Sequence, residues 1–188
     1  MILRGEKVIL KLSTLKHVPL YWKWIRDKEV TRYLTGAQFP KTYRAEIRWF
    51  RQTKRKKDEK LFIILDAATK KPIGNLGIHQ ISIFNKKAGI GLMIGEKDFW
   101  NKGYGTDALK TALRYCFKKL KLNKVTLTVD VQNKRGIRCY EKCGFVTIGF
   151  LKDDAIRSGI MKDSYLMEAF ANERKKKRIK AHMRGLKF

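Results

Sequence analysis

The residues with the clearest chemical potential lie in Gly95 to Ala108, GEKDFWNKGYGTDA, a glycine-rich turn set between an apolar β-rich run and an amphipathic helix. The run is AGIGLMI, Ala88 to Ile94; the helix carries Ala108, Leu109, Ala112, Leu113, Cys116, Phe117 and Leu120 at helical spacing. Gly103 and Gly105 allow the backbone to approach a ligand closely. The free N–H groups around Gly105 and Thr106 carry the partial positive charge that draws phosphate oxygens, so the turn is suited to a pyrophosphate. A glycine-bearing loop alone would equally serve as a plain strand-to-helix connection. Two other phosphate-binding loops fail on spacing: Lys102 precedes Gly103 where a Walker loop needs Gly-Lys-Ser/Thr, and Ala108 stands where the dinucleotide fingerprint needs its third glycine.

A second segment joins a strand to a short polar helix. NKRGIRCYEKCGF, Asn133 to Phe145, follows a strand in which Val125, Leu127, Val129 and Val131 alternate with polar residues. Asn133 is placed to cap the following helix, and Gly144 to end it with a positive φ. A lone tyrosine at position 140 would read as a packed helix residue. Cys139 and Cys143 lie one helical turn apart without further ligands and read as packing residues, Cys116 as core, and no metal site is expected.

In order and spacing, KGYGTDALKTAL followed by VDVQNKRGIRCYEKCGF resembles the GNAT acetyltransferases. The opening, ILRGEKVILKLSTLKHVPLYWKWIRDKEVTRYL, resembles the first strand and helix of the branch that holds the ribosomal-protein N-terminal acetyltransferases and spermidine acetyltransferase. The likeness runs from Ile2 to about Ala171. It implies an α/β (α+β) GNAT fold, a central mixed and mostly antiparallel twisted sheet flanked by helices, and acetyl-CoA as cosubstrate without a metal. The strand backbone at Leu92, Met93 and Ile94 would pair with the pantetheine arm and polarise the thioester carbonyl. Trp100, Asn101, Lys102, Gly103, Tyr104, Gly105 and Thr106 would wrap the pyrophosphate, Asn133 would lie along the pantetheine, and Tyr140 would protonate the thiolate. Trp100 replaces the glutamine or arginine of many relatives, so it is expected to pack over the loop and leave charge to Lys102 and the backbone amides. Gly89 stands where relatives that read A-E-I-G carry a glutamate cast as base. No general base is therefore assigned: His79 is a substitute weighed against a structural histidine, Glu96 and Asp98 read as solvated or capping, Asp163 could orient an amine or lie on the surface, and a water relay fits the rest.

The elements that must hold these groups follow from the pattern. Strands are expected at Lys7 to Lys11, Leu61 to Leu65, Ile73 to Ile83, Ala88 to Ile94, Val125 to Val131, Phe145 to Leu151 and Ser164 to Phe170, and helices around Val18 to Arg26 and Arg44 to Lys54. The 188 residues form one expected domain, 1–172, with a basic tail at 173–188. Three cysteines, no signal peptide and no membrane-spanning run point to a reducing cytoplasm, away from a membrane. The 44 Lys+Arg against 17 Asp+Glu give a net charge of +27, concentrated in Arg51 to Lys60, Lys118 to Lys124 and the tail, whose eight basic side chains could neutralise phosphates. Such a charge disfavours polyamines at long range. The expected activity is acetyl transfer to a primary amine, a protein N-terminus or lysine, in a ribosome- or RNA-associated setting. A polyamine acetyltransferase and a non-catalytic RNA-binding module are the alternatives. A monomer or homodimer is expected.

Overall fold

A computed structural model describes residues 1–34, 39–40, 42–157 and 159–172. The basic tail at 173–188 lies outside the described residues. Along the chain come β1 (Ile2–Arg4), β2 (Val8–Leu12), α1 (Val18–Arg26), α2 (Lys28–Thr31), α3 (Tyr43–Arg55), β3 (Lys60–Asp66), β4 (Pro72–Ser82) and β5 (Lys87–Ile94). They continue with α4 (Tyr104–Arg114), β6 (Lys124–Asp130), α5 (Lys134–Lys142), β7 (Val146–Arg157) and β8 (Ile160–Phe170).

The strands form one eight-stranded sheet in the order β1-β2-β3-β4-β5-β6-β8-β7. Every neighbouring pair is antiparallel except β5 and β6. This is the mixed, mostly antiparallel sheet that the sequence implied. Alternation along the strands sends Phe62, Ile64, Leu76, Ile78 and Ile90 into a core beneath α4, where Leu109, Ala112 and Cys116 meet them. Leu61, Ile63 and Met93 pack on the other face against Tyr21, Trp24 and Phe50 from α1 and α3. Burial of these side chains holds helices on both faces.

The structure differs from the sequence reading mainly in charged or short segments. β7 and β8 extend through KDDAIR and IMKD into a long hairpin, because cross-strand pairs from Ala155↔Lys162 to Arg157↔Ile160 hold residues whose pattern gives no alternation. The single turn of α2 depends on Asp27, whose carboxylate accepts from the N–H groups of Glu29 and Val30. β1 was too short to register as a strand; it pairs with β2 across the turn at Gly5. Past Arg114 the α4 helix loosens into a π-helical turn at Tyr115–Lys119, closed by Leu120 N–H donating to the Tyr115 carbonyl at 3.1 Å.

Candidate active site

The parallel pairing of β5 and β6 covers only Lys87↔Lys124, Ala88↔Val125 and Gly89↔Thr126. Beyond it β5 stays with β4 up to Gly74↔Ile94, while β6 stays with β8 up to Asp130↔Ser164, so the two strands part like a V. The edge of β5 from Ile90 to Ile94 has no strand beside it on that side. A cavity of about 600 Å³ fills this opening, bounded by β5, β6, the start of α4, α5, α2 and the end of β4. An extended ligand with amide groups can use such a strand edge.

Of the residues singled out in the sequence, Leu92, Met93, Ile94, Trp100, Asn101, Gly103, Tyr104, Gly105, Thr106, Asn133 and Tyr140 line this cavity, and Lys102 does not. Gly103 precedes α4 with φ at +86°, a left-handed conformation that costs glycine nothing and other residues strain. No side chain caps the helix there, so its first N–H groups are left for an acceptor from outside the chain. Gly105 has a packing reason as well: a Cβ there would press on Leu92 at 3.3 Å and Cys139 at 3.6 Å, where α4 meets β5 and α5.

Trp100 packs as expected and ties the loop to β5, its indole Nε1 donating to the Ile94 carbonyl at 2.8 Å. The charge at the loop comes from residues that local motifs did not flag. The Arg135 guanidinium sits 3.9 Å from the Trp100 ring centre, a cation–π contact that brings a positive group to the cavity wall. Arg138 and Lys142 line the same wall, so one face of α5 presents three cations; their spacing in KRGIRCYEK was the signal that could have revealed them. Lys7 approaches from β2's entry and donates to the Lys102 carbonyl at 3.0 Å. A pyrophosphate placed here would meet free amides beside several cations, and the residues present fit a coenzyme of this kind.

The Asn133 side chain caps α5, accepting from the Gly136 N–H at 2.9 Å. That cap orients the helix on which Tyr140 stands. The Tyr140 ring meets Phe145 edge-on at 5.9 Å, and burial, with the neighbouring Cys139 and Cys143, pushes its phenol above the ordinary range. It is therefore a protonated donor at neutral pH. The two cysteines do pack, and they also bind α5 to α4: Cys139 Sγ lies 3.4 Å from Thr106 Oγ1, and Cys143 Sγ donates to the Thr106 carbonyl at 3.4 Å. The neighbouring Cys143 thiol lowers the Cys139 pKa against the opposing effect of burial, while Cys143 is driven up in turn. No group of three potential metal ligands exists among the described residues.

The acidic candidates separate clearly. Glu96 accepts from Trp24 Nε1 at 2.8 Å and pairs with Lys23 at 2.7 Å, which fixes α1 to the end of β5. Asp163 accepts from the Asp153 N–H at 2.9 Å and braces the bulge of the β7–β8 hairpin; it is not on the cavity wall. His79 is on that wall, in register opposite Gly89.

A sequence model of the family described as Acetyltransferase (GNAT) domain matches residues 7–146. The uncharacterized N-acetyltransferase p20 of Bacillus licheniformis is 25% identical over 170 residues, 89% of this chain and 95% of that protein. The alpha/beta-tubulin-N-acetyltransferase 9 of Mus musculus is 28% identical over 158 residues, 77% of this chain and 64% of that protein. Among solved structures, spermidine N-acetyltransferase from Vibrio cholerae in complex with CoA and spermine superposes with a TM-score of 0.81, covering 89% of this chain and 97% of that one at 22% identity.

Proposed function

The chain belongs to the GNAT acetyltransferase family and is an acetyl-CoA-dependent N-acetyltransferase, and from that premise we propose that its acceptor is a primary amine on a protein, an N-terminus or a lysine. The observation that carries this reading is the charge of the cavity wall. Glu29 is its one carboxylate among the described residues, and Lys97 already holds Glu29 at 2.8 Å. A polyamine would bring further ammonium groups into a cavity with no spare carboxylate, beside Arg135, Arg138 and Lys142. A protein amine brings one nitrogen, and an N-terminal amine with pKa ~7.7–8.0 is neutral in a useful fraction near pH 7. The tubulin acetyltransferase relative acts on a protein, which supports the same direction.

In this reading the strand edge at Leu92 to Ile94 and the Gly103 to Thr106 turn hold acetyl-CoA, and Tyr140 supplies the proton that the departing thiolate takes. The basic tail at 173–188 is read as a phosphate-binding appendage that brings the enzyme to RNA-rich assemblies, on the strength of its charge. Acetyl-CoA turnover, measured as thiol release with mass spectrometry of the product, tests the acceptor class with peptides bearing a free α-amine or a lysine beside spermidine. Turnover of peptides at tenfold or more the kcat/KM of spermidine supports the reading. The reverse order assigns the chain to polyamines.

A further inference from the structure

On β4 the side chains of Leu76 and Ile78 enter the core beneath α4, so His79 alternates to the face shared with α1 and α3. Its ring lies over Gly89 on β5: a Cβ at that glycine would press on Cε1 and stand 2.6 Å from Nδ1 and 3.0 Å from Nε2. Glycine at 89 is what gives the imidazole its seat. Two residues along, a Cβ at Gly91 would meet nothing within 4 Å, so β5 presents bare backbone to the open cavity at Gly91, next to the glycine that the ring covers. His79 is also the last regular pair of the β4–β5 ladder. The register breaks between His79 and Ser82, and Gln80 takes a φ of +52°, a strained arrangement that redirects the strand next to the ring.

Three properties set this imidazole apart from a structural histidine. No described residue hydrogen-bonds its ring nitrogens, whereas a core histidine has its N–H satisfied. It shares the cavity with Tyr140, the strand edge and Thr126. Finally, burial holds its pKa below the ordinary 6.5: Asp58 and Glu59 raise it, Lys56 lowers it, and β5 presents only glycine to it, so the ring is neutral at pH 7.

We propose that His79 is the general base of acetyl transfer, taking the proton that the acceptor nitrogen loses as it bonds to the acetyl carbon. This rests on the N-acetyltransferase reading above but not on which amine is used. The amine lone pair forms the C–N bond, the C–S bond breaks with its electron pair on sulfur, one amine proton goes to a ring nitrogen of His79, and the thiolate takes the Tyr140 proton to leave as free coenzyme thiol, Tyr140 regaining a proton from solvent. His79 then returns its proton to solvent. The proton becomes acidic enough for a weak base only once the C–N bond has formed, which suits an imidazole of depressed pKa.

The test uses the full chain and whichever acceptor turns over, peptide or spermidine, so that a wrong acceptor class leaves it intact. His79→Gln should lower kcat at least tenfold at pH 7 while acetyl-CoA affinity by calorimetry stays within twofold. The acid limb of kcat at saturating acceptor, where the amine is already bound as the neutral base, should fall below pH ~6.5, match the NMR titration of the histidine signal lost in His79→Gln, and stay fixed between two acceptors of different amine pKa. The double variant His79→Ala with Gly89→Glu, in which the vacated space receives a carboxylate, should recover activity over His79→Ala alone and carry its acid limb to lower pH. A His79→Gln enzyme with kcat within twofold of the parent, an unchanged acid limb, or an NMR pKa that disagrees with that limb overturns the proposal. So does a double variant no more active than His79→Ala.

Discussion

The Asp107 carboxylate, in the first turn of α4, accepts hydrogen bonds from the backbone N–H groups of Lys7 at 2.8 Å and Val8 at 3.0 Å. These residues lie about a hundred positions apart, yet this bond fixes the helix that begins at the Gly103 turn to the start of β2. Asp107 sits near the positive end of α4 and satisfies two strand-edge donors at once. Asp107→Ala should therefore lower stability by ~1–3 kcal/mol, the range for leaving such donors unpaired. Urea denaturation at pH 7 measures it, and a loss below ~0.5 kcal/mol would show that water replaces the carboxylate at no cost.

Gly103→Val forces a branched side chain into a φ of +86° at the turn that leaves the α4 amides free. Acetyl-CoA affinity should fall at least tenfold, ~1.4 kcal/mol or more, by calorimetry. A folded variant that binds as the parent does would move the coenzyme away from this turn.

Legibility in the sequence tracked the range of the interaction. The Gly103 turn, the Asn133 cap and the Gly144 helix end, with φ of +92°, depend on residues a few positions apart, so their types alone announced them. Arg135 over Trp100 and His79 over Gly89 depend on how distant segments come into register, which periodicity does not encode. Asp163, which the sequence leaves open between a substrate group and a surface acid, accepts from the Asp153 N–H and braces the hairpin. The β7–β8 extension was hidden because strand pairing, and not burial, holds those charged residues in line.

Tyr140→Phe removes only the hydroxyl, so the edge contact with Phe145 and the fold should persist. If the phenol protonates the thiolate, kcat should fall by about a hundredfold with acetyl-CoA affinity unchanged. Single-turnover kinetics isolate the chemical step; a fall of less than threefold there would make Tyr140 a packing residue.

Glu46 on α3 is only 2% exposed, and burial raises its carboxyl to about 7. Its folded pKa thus exceeds the unfolded value of ~4.3, so the folded state binds the extra proton and stability is lost as pH rises between those values. Glu46→Gln keeps the shape without the charge. Urea denaturation at pH 5 and pH 8 should show the parent losing on the order of 2 kcal/mol more than the variant across that window. Parallel losses in the two proteins would mean that the folded carboxyl titrates normally.

The tail carries its prediction through salt. Deleting residues 174 to 188 removes eight basic side chains from the chain. Each phosphate neutralised on a single strand contributes ~0.7 to the slope of log affinity against log salt, so the deletion should flatten that slope by several units for RNA or ribosomes. Acetyl-CoA binding and turnover of a short peptide should be unaffected, because β5, α4 and α5, which carry the described cavity wall, all precede the tail. Co-sedimentation with ribosomes across a salt series compares the two proteins directly. Coincident salt curves would remove the tail from recognition, and a truncated chain that fails to fold would place it in the domain core.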